Sequence, residues 1–272
     1  MQYLITGGAG LIKRRPAWKA PGDWSAADMT APDPESGGRP MTSTLAIIPA
    51  RGGSKGIPHK NLKPLAGRPL LVWTIEQALA TPGLDVCVST EDSRIAEIAR
   101  AAGARVIARP AELAQDTTAT EPVVEHAISV LDAEGARPDQ VMLLQATSPV
   151  RLPGTMARAL KEFAASSADS MVGVVPEPIF IWQKDPKVKA LYPFQNRPRR
   201  QEMTPDQLRY RETGSLYVTR TEVYETAHNR LGGRIELFVM DPVEGIDIDA
   251  QTDFALAEAT IRQINTREHP TA

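Results

Sequence analysis

The 272 residues contain one cysteine, Cys87, so no intrachain disulfide framework holds this fold and a reducing compartment is expected. Flanked by Val86 and Val88, that cysteine reads as a small buried hydrophobe. Long apolar runs are missing as well. No stretch approaches the roughly 18 residues that a membrane helix needs, and the start lacks the cationic region and apolar core of a secretory signal. The expectation is a soluble cytoplasmic protein with no membrane partner. An excess of charge of one sign is also absent: 31 Lys and Arg face 33 Asp and Glu, a net charge of −2. No nucleic-acid partner is expected from such a balance. Histidine is scarce, with His59, His126, His228 and His269 at no metal-ligand spacing, and no Ser-His-Asp or Cys-His nucleophile is indicated.

Residues 1–40 differ from the rest. They carry Pro16, Pro21, Pro32, Pro34 and Pro40 with Gly22, Gly37 and Gly38, and few apolar residues after Ile12. Such a composition buries too little surface to offset the entropy of ordering, so a flexible N-terminal arm is expected. Within it, Gly7, Gly8 and Gly10 open a partial dinucleotide fingerprint, but Lys13 stands where the third glycine belongs and Arg14-Arg15-Pro16 replaces the helix. Without a helix N-terminus there is nothing to hold a pyrophosphate. A fusion scar or misplaced start explains the arm better, with Met41 as the native start.

From Thr44 onward, short apolar runs alternate with segments of helical period. Leu45–Ile48, Val86–Val88, Arg105–Ile107, Val141–Leu144 and Met171–Val175 read as strands. Pro69–Ala80, Ser93–Ala102, Pro122–Leu131 and Thr155–Phe163 read as helices, with Pro69 in a first turn and Gly103 closing the second helix. Arg211–Val218 and Arg234–Met240 follow as strands and Gln251–Ile264 as a final helix. The fold class expected is α/β: a three-layer, Rossmann-like arrangement with a mostly parallel sheet in one unit of residues 41–268. The segment 178–212 breaks the rhythm with prolines and arginines and is expected to leave the sheet as an excursion. Ligands in such folds sit beyond the carboxyl ends of strands, which points to the loops after Ile48, Val88 and Leu144 and near Leu237.

The loop after the first strand is Arg51-Gly52-Gly53-Ser54-Lys55-Gly56-Ile57-Pro58-His59-Lys60-Asn61. Its glycines let backbone amides approach an anion closely, and Arg51, Lys55 and Lys60 add three cations suited to phosphate oxygens. It is not a Walker loop, because no Gly-Lys-Ser/Thr opens a helix at the right spacing. A glycine-rich surface turn with solvated charges is the plainer alternative. Further on, Asp247 and Asp249 lie two apart in an apolar frame. On an extended segment both point to one face, where they repel unless a hard cation such as magnesium lies between them; an exposed turn with two solvated aspartates is the alternative. Gln145 ends a strand with both a donor and an acceptor to offer.

Residues 48–61, Ile-Pro-Ala-Arg-Gly-Gly-Ser-Lys-Gly-Ile-Pro-His-Lys-Asn, resemble the signature of acylneuraminate cytidylyltransferases, the CMP-sialic acid synthetase family. The resemblance continues through Gly67–Leu70, Val88–Asp92, Arg109–Thr117, Leu143–Arg151 and Gly245–Asp249, and covers about residues 44–262. It departs at Ala146 and Gly245, where the family has proline and serine. It implies transfer of CMP from CTP to a nonulosonic, sialic-type acid with release of pyrophosphate. It also implies Mg2+ as cofactor on Asp247 and Asp249, and a homodimer. Arg51, Lys60 and Asp249 would carry catalysis. Ser54, Lys55, Asn61, Arg109, Thr120 and Gln145 would bind CTP, and Arg200, Gln201 and Tyr217 the sugar acid. Thr213 replaces a common asparagine, an extra residue, Arg211, appears beside it, and Pro178–Trp182 is apolar where some members place a lysine on the sugar. These departures suggest an acid other than N-acetylneuraminate, such as a deaminated or diamino relative. Transfer to another keto-deoxy acid such as Kdo is the rival reaction, and a non-catalytic CTP- and sugar-binding relative the rival class. A nicotinamide-dependent epimerase is disfavoured, since no Tyr-x-x-x-Lys pair occurs.

Overall fold

The computed structural model describes residues 42–53, 56–177, 180–197, 199, 202–204 and 207–268. The expected arm, residues 1–40 with its partial glycine fingerprint, therefore lies outside the described residues, as do Ser54, Lys55, Arg200 and Gln201.

The chain runs β1 (Thr44–Pro49), a two-residue hairpin of β2 (Pro64–Leu65) and β3 (Arg68–Pro69), α1 (Leu70–Leu79), β4 (Leu84–Thr90), α2 (Ser93–Ala101) and β5 (Arg105–Ala108). It continues with α3 (Thr120–Ala133), β6 (Gln140–Leu144), α4 (Thr155–Ala165) and β7 (Ser170–Glu177). The excursion contributes the short pair β8 (Trp182–Gln183) and β9 (Lys189–Ala190), before β10 (Arg209–Arg220), α5 (Thr221–Ala227), β11 (Ile235–Val239) and α6 (Gln251–Glu268). Seven strands form one sheet in the order β11-β7-β10-β6-β1-β4-β5. β1 pairs in parallel with β4 and β6, β4 with β5, and β7 with β11, while β10 runs antiparallel between β6 and β7.

Period-two alternation divides the core. Ala46 and Ile48 of β1 point to the face covered by Leu71 and Ile75 of α1, Ile95 of α2 and Met156 and Phe163 of α4. Leu45 and Ile47 point to the opposite face, against Val124, Ile128 and Leu131 of α3 and Tyr224 of α5. Both faces of the central strands are therefore dry, which is why they read as continuous apolar runs rather than alternating ones. Cys87 is 2% exposed within the second cluster, and burial pushes its thiol up to about 11, as an inert core side chain should behave. A third cluster joins Ile57 of the glycine-rich loop to Leu65, Leu70, Ile248, Phe254 and Ile261. Through it α6 clamps two segments that meet at the site: the loop after β1 and the aspartate pair around Ile248.

β10 is irregular where it passes Gly173. Glu212 pairs with Val174 and Tyr217 with Val172, so residues 213–216 bulge opposite a single position. Thr213 stabilises the bulge, its Oγ1 donating to Gly173 O at 3.0 Å and accepting from Ser215 N at 3.1 Å.

Candidate active site

One cavity of about 500 Å³ opens beyond the carboxyl ends of β1, β5 and β6. Its lining includes Arg51, Gly56, Lys60, Asn61, Arg109, Asp116, Thr120, Gln145, Thr147 and Asp249. Seven sequence candidates are thus brought together: Arg51, Lys60, Asn61, Arg109, Thr120, Gln145 and Asp249. The loop after β1 supplies three of them.

That loop is held by backbone-directed bonds. Asn61 is buried, and its Nδ2 donates to Arg51 O at 3.1 Å, closing the loop on itself. Gly56 approaches the other wall so closely that a Cβ there would lie 2.8 Å from Asp249 O, an approach only glycine permits. Lys60 spans the same junction, its Nζ donating to Ile248 O and lying 3.6 Å from Asp249 Oδ1. The acceptor carbonyl comes from the residue between the two aspartates, so the loop cation and the aspartate pair form one unit.

Each wall cation meets a carboxylate. Arg51 Nη1 donates to Asp116 Oδ1 at 2.6 Å. Arg109, at the exit of β5, is 7% exposed and donates from Nη2 to Ser89 O at 2.6 Å and from Nε to Ser89 Oγ at 3.2 Å. Its Nη1 lies 3.9 Å from Glu91 Oε2, and burial, with Arg51 nearby, holds its guanidinium below the ordinary range. Glu91 also accepts from Gly52 N at 2.7 Å, so an internal carboxylate occupies one amide of the glycine loop. The cavity thus brings together three cations, each facing a carboxylate of the protein.

The aspartates differ in setting. Asp249 is exposed at the cavity wall, whereas Asp247 is partly buried, does not line the cavity, and accepts from Ser148 Oγ at 3.1 Å. Ile248 between them is fully buried. No group of three or more His, Cys, Asp or Glu among the described residues forms a metal cage. Of the pair, Asp249 offers its oxygens to the cavity, the donor type that an oxygen-seeking cation such as magnesium would take.

Tyr217, which the family resemblance assigns to the sugar, does not line this cavity. The alternation of β10 turns its ring into the cluster on the α3 and α5 face, where it is 2% exposed. Its hydroxyl donates to Glu212 Oε1, and burial with that partner pushes its pKa upward. Three residues around the site escape sequence reasoning: Asp116, Glu91 and Ser148 each stand inside a family motif without an assigned role.

Against known proteins, the sequence profile described as cytidylyltransferase matches residues 45–257. N-acylneuraminate cytidylyltransferase B of Danio rerio is 34% identical over 84% of this chain and 53% of its own length. The N-acylneuraminate cytidylyltransferase of Escherichia coli O18:K1:H7 is 30% identical over 84% of this chain and 54% of its own. The chain thus spans about half the length of these relatives. The CMP-N,N'-diacetyllegionaminic acid synthase of Legionella pneumophila is 34% identical, covering 79% of this chain and 94% of its own. Among solved structures, a CMP-2-keto-3-deoxy-manno-octonic acid synthetase complexed with CTP superposes with a TM-score of 0.60 at 18% identity, over 82% of this chain and 99% of that one. At that identity the likeness concerns the fold.

Proposed function

Since the chain belongs to the cytidylyltransferase family, we propose that it transfers CMP from CTP to a nonulosonic acid and releases pyrophosphate. The observation that carries this reading is the convergence of Arg51, Lys60 and Arg109 with the Gln145 amide on one cavity. Three cations and a donor–acceptor side chain are what a triphosphate joined to a pyrimidine requires. The names of the relatives supply the acceptor class. The chain spans nearly the whole length of the legionaminic acid synthase, and the apolar segment around Phe180 favours an acid other than N-acetylneuraminate. The Kdo alternative rests on fold likeness alone.

In this reading the anomeric hydroxyl of the acid gives up its proton to solvent as its oxygen bonds to the α-phosphorus of CTP, the bridge to the β-phosphorus breaks, and pyrophosphate leaves with that bridging oxygen. Arg51 and Lys60, with Ser54 and Lys55 of the same loop, neutralise the charge that gathers on the departing pyrophosphate. Such catalysis is positioning and electrostatics more than covalent chemistry. Asn61, Arg109, Thr120 and Gln145 hold the nucleoside. Asp247 and Asp249 would hold Mg2+, which when bound neutralises phosphate charge and orients the triphosphate. Arg200 and Gln201 are assigned to the sugar carboxylate, whereas Tyr217, enclosed in the core cluster on the α3 and α5 face, is left without contact to the acid. The catalytic unit is residues 41–268, and the excursion 178–212 serves a homodimer. In its support, Trp182, Val188, Leu191 and Phe194 are 49–74% exposed, and large apolar side chains exposed together mark association surfaces.

Pyrophosphate release in magnesium buffer, with CTP and a panel of nonulosonic acids, tests the proposal. Release that depends on one of these acids is expected. Folded protein that binds CTP yet stays silent with all of them would refute it.

A further inference from the structure

Asp253 stands in the first turn of α6 and has no part in the chemistry above. One oxygen of its carboxylate, Oδ2, accepts from Ala250 N at 2.7 Å and from Asp249 N at 3.0 Å. An acidic residue at the third position of a helix ordinarily bonds back to the amide just before the first turn, as half of a capping box. That accounts for the bond to Ala250, whose methyl group offers no cap in return. It does not account for the bond to Asp249, whose amide lies one residue outside the helix start and needs no partner from the helix.

The second amide belongs to the peptide that joins Ile248 to Asp249. The carbonyl of that same peptide, Ile248 O, accepts from Lys60 Nζ. One peptide plane is therefore held between a cation and a carboxylate, and each bond is the stronger for its charge. Up to Ile248 the chain is fixed by other means, since that side chain is fully buried and its N donates to Thr147 O at 2.8 Å. Packing does not place the next residue, because the Asp249 side chain is 84% exposed. The two anchors on the shared peptide also differ. Lys60 is proposed for the triphosphate, and a cation drawn toward phosphate loosens its hold on Ile248 O. Asp253 is directed at backbone alone, from a helix seated by Phe254 and Ile261, both 4% exposed, in the cluster that contains Ile248.

We propose that Asp253 is a positioning residue for the metal: by binding the Asp249 amide from a seated helix, it holds the Asp249 main chain at the cavity wall, within reach of a cation on the triphosphate. The inference rests on the cytidylyltransferase reading above. Manganese binding in the presence of CTP, followed by the paramagnetic resonance of the free ion on the full chain without any sugar, tests it, with metal-free CTP binding measured alongside by calorimetry. Asp253→Ala, which removes both bonds, is expected to weaken manganese binding by about tenfold and to leave metal-free CTP binding unchanged. Asp253→Asn, which keeps an acceptor oxygen, should recover most of that loss. A purely structural role at the start of α6 lowers thermal stability and leaves the manganese affinity of the folded protein intact, and that result in Asp253→Ala overturns the inference. An asparagine variant as weak as the alanine variant overturns it too, since charge rather than the bond would then be at work. Should the alanine variant fail to fold, Asp253→Glu decides. It keeps the residue that a capping box has at this position but carries the carboxylate one methylene farther, so a smaller loss of manganese affinity is expected and no loss overturns the inference. A wild type that binds CTP yet takes up no manganese with it overturns this inference and leaves nucleotide binding standing. A wild type that binds no CTP overturns the functional reading and this inference together.

Discussion

Arg51 Nη1 lies 2.6 Å from Asp116 Oδ1, joining the glycine loop after β1 to the segment before α3 across the cavity. The pair holds an arginine that a triphosphate would also claim. Both side chains are about a third or more exposed, 32% and 42%, so the pairing itself is weak in water. Asp116→Asn is expected to raise CTP affinity modestly, up to about fivefold at low salt, with the gain vanishing at high ionic strength. Arg51→Met should instead weaken CTP by about tenfold or more, because it removes a charge-assisted hydrogen bond to phosphate. Calorimetric titration at two salt concentrations separates the cases. A lower affinity for Asp116→Asn would mean that the aspartate orients Arg51 for the ligand rather than competing with it.

Asp92 caps α2, its carboxylate accepting from Arg94 N at 2.8 Å and Ile95 N at 3.4 Å and pairing with the Arg94 side chain. These bonds, led by the Arg94 side chain, lower its pKa from 3.8 to about 2. A depressed folded value means that the ionised form stabilises the fold. That contribution is complete above about pH 4 and is lost as pH falls through 2. Asp92→Ala should cost about 1 kcal/mol at neutral pH, and its disadvantage against wild type should shrink below pH 4. Urea unfolding across that range gives the comparison, and a difference that does not change with pH would exclude the cap as its source.

The parts of this molecule legible in the sequence are those set by local pattern. Leu45–Ile48 announces a strand dry on both faces, and the helical period of Ser93–Ala102 with Gly103 behind it announces α2. Pro69, expected in the first turn of α1, instead ends β3 and stands just before the helix at ψ 139°, because the hairpin bond between Arg68 and Leu65 holds the chain extended there. α5 is not legible, because seven residues hold too little periodicity to separate from the end of β10. The antiparallel insertion of β10 between β6 and β7 is equally invisible, since pairing is decided by partners distant in sequence. The site divides in the same way. Arg51, Lys60 and Asn61 stand in one continuous loop, whereas Ser148 meets Asp247 across 99 residues of sequence, which no spacing argument reaches.

Ser148 is fully buried and donates to Asp247 Oδ1 at 3.1 Å, with Thr213 O farther away at 3.5 Å. One hydroxyl proton serves the nearer, charged acceptor better, so the serine orients a carboxylate proposed for the metal. Ser148→Ala should raise the magnesium concentration needed for half-maximal activity by about tenfold while leaving metal-free CTP binding unchanged. Manganese relaxation measurements with CTP present would report the weaker metal site independently of turnover. Unchanged metal affinity would reduce Ser148 to a link between the β10 bulge and the loop near Asp247.

The excursion supplies the last test. Phe180 and Tyr192 meet edge to face at 5.1 Å, Trp182 meets Tyr192 at 5.8 Å, and Trp182 meets Phe194 at 5.6 Å. The Arg197 guanidinium lies 3.8 Å above the Phe180 ring. Rings packed against each other edge to face and at a tilt form a preformed surface, and Trp182 and Phe194 remain half exposed. Aromatic anchors of that kind dominate association energies when a partner covers them. Trp182→Ser combined with Phe194→Ser should convert the proposed homodimer to monomer at micromolar concentration. Because these side chains lie outside the core clusters, the thermal stability of the sheet should change little beyond the loss of association. Sedimentation velocity reads the mass and calorimetry the fold. A wild type that is monomeric at all concentrations would remove the homodimer, and a double variant that stays dimeric would move the interface away from the aromatic surface.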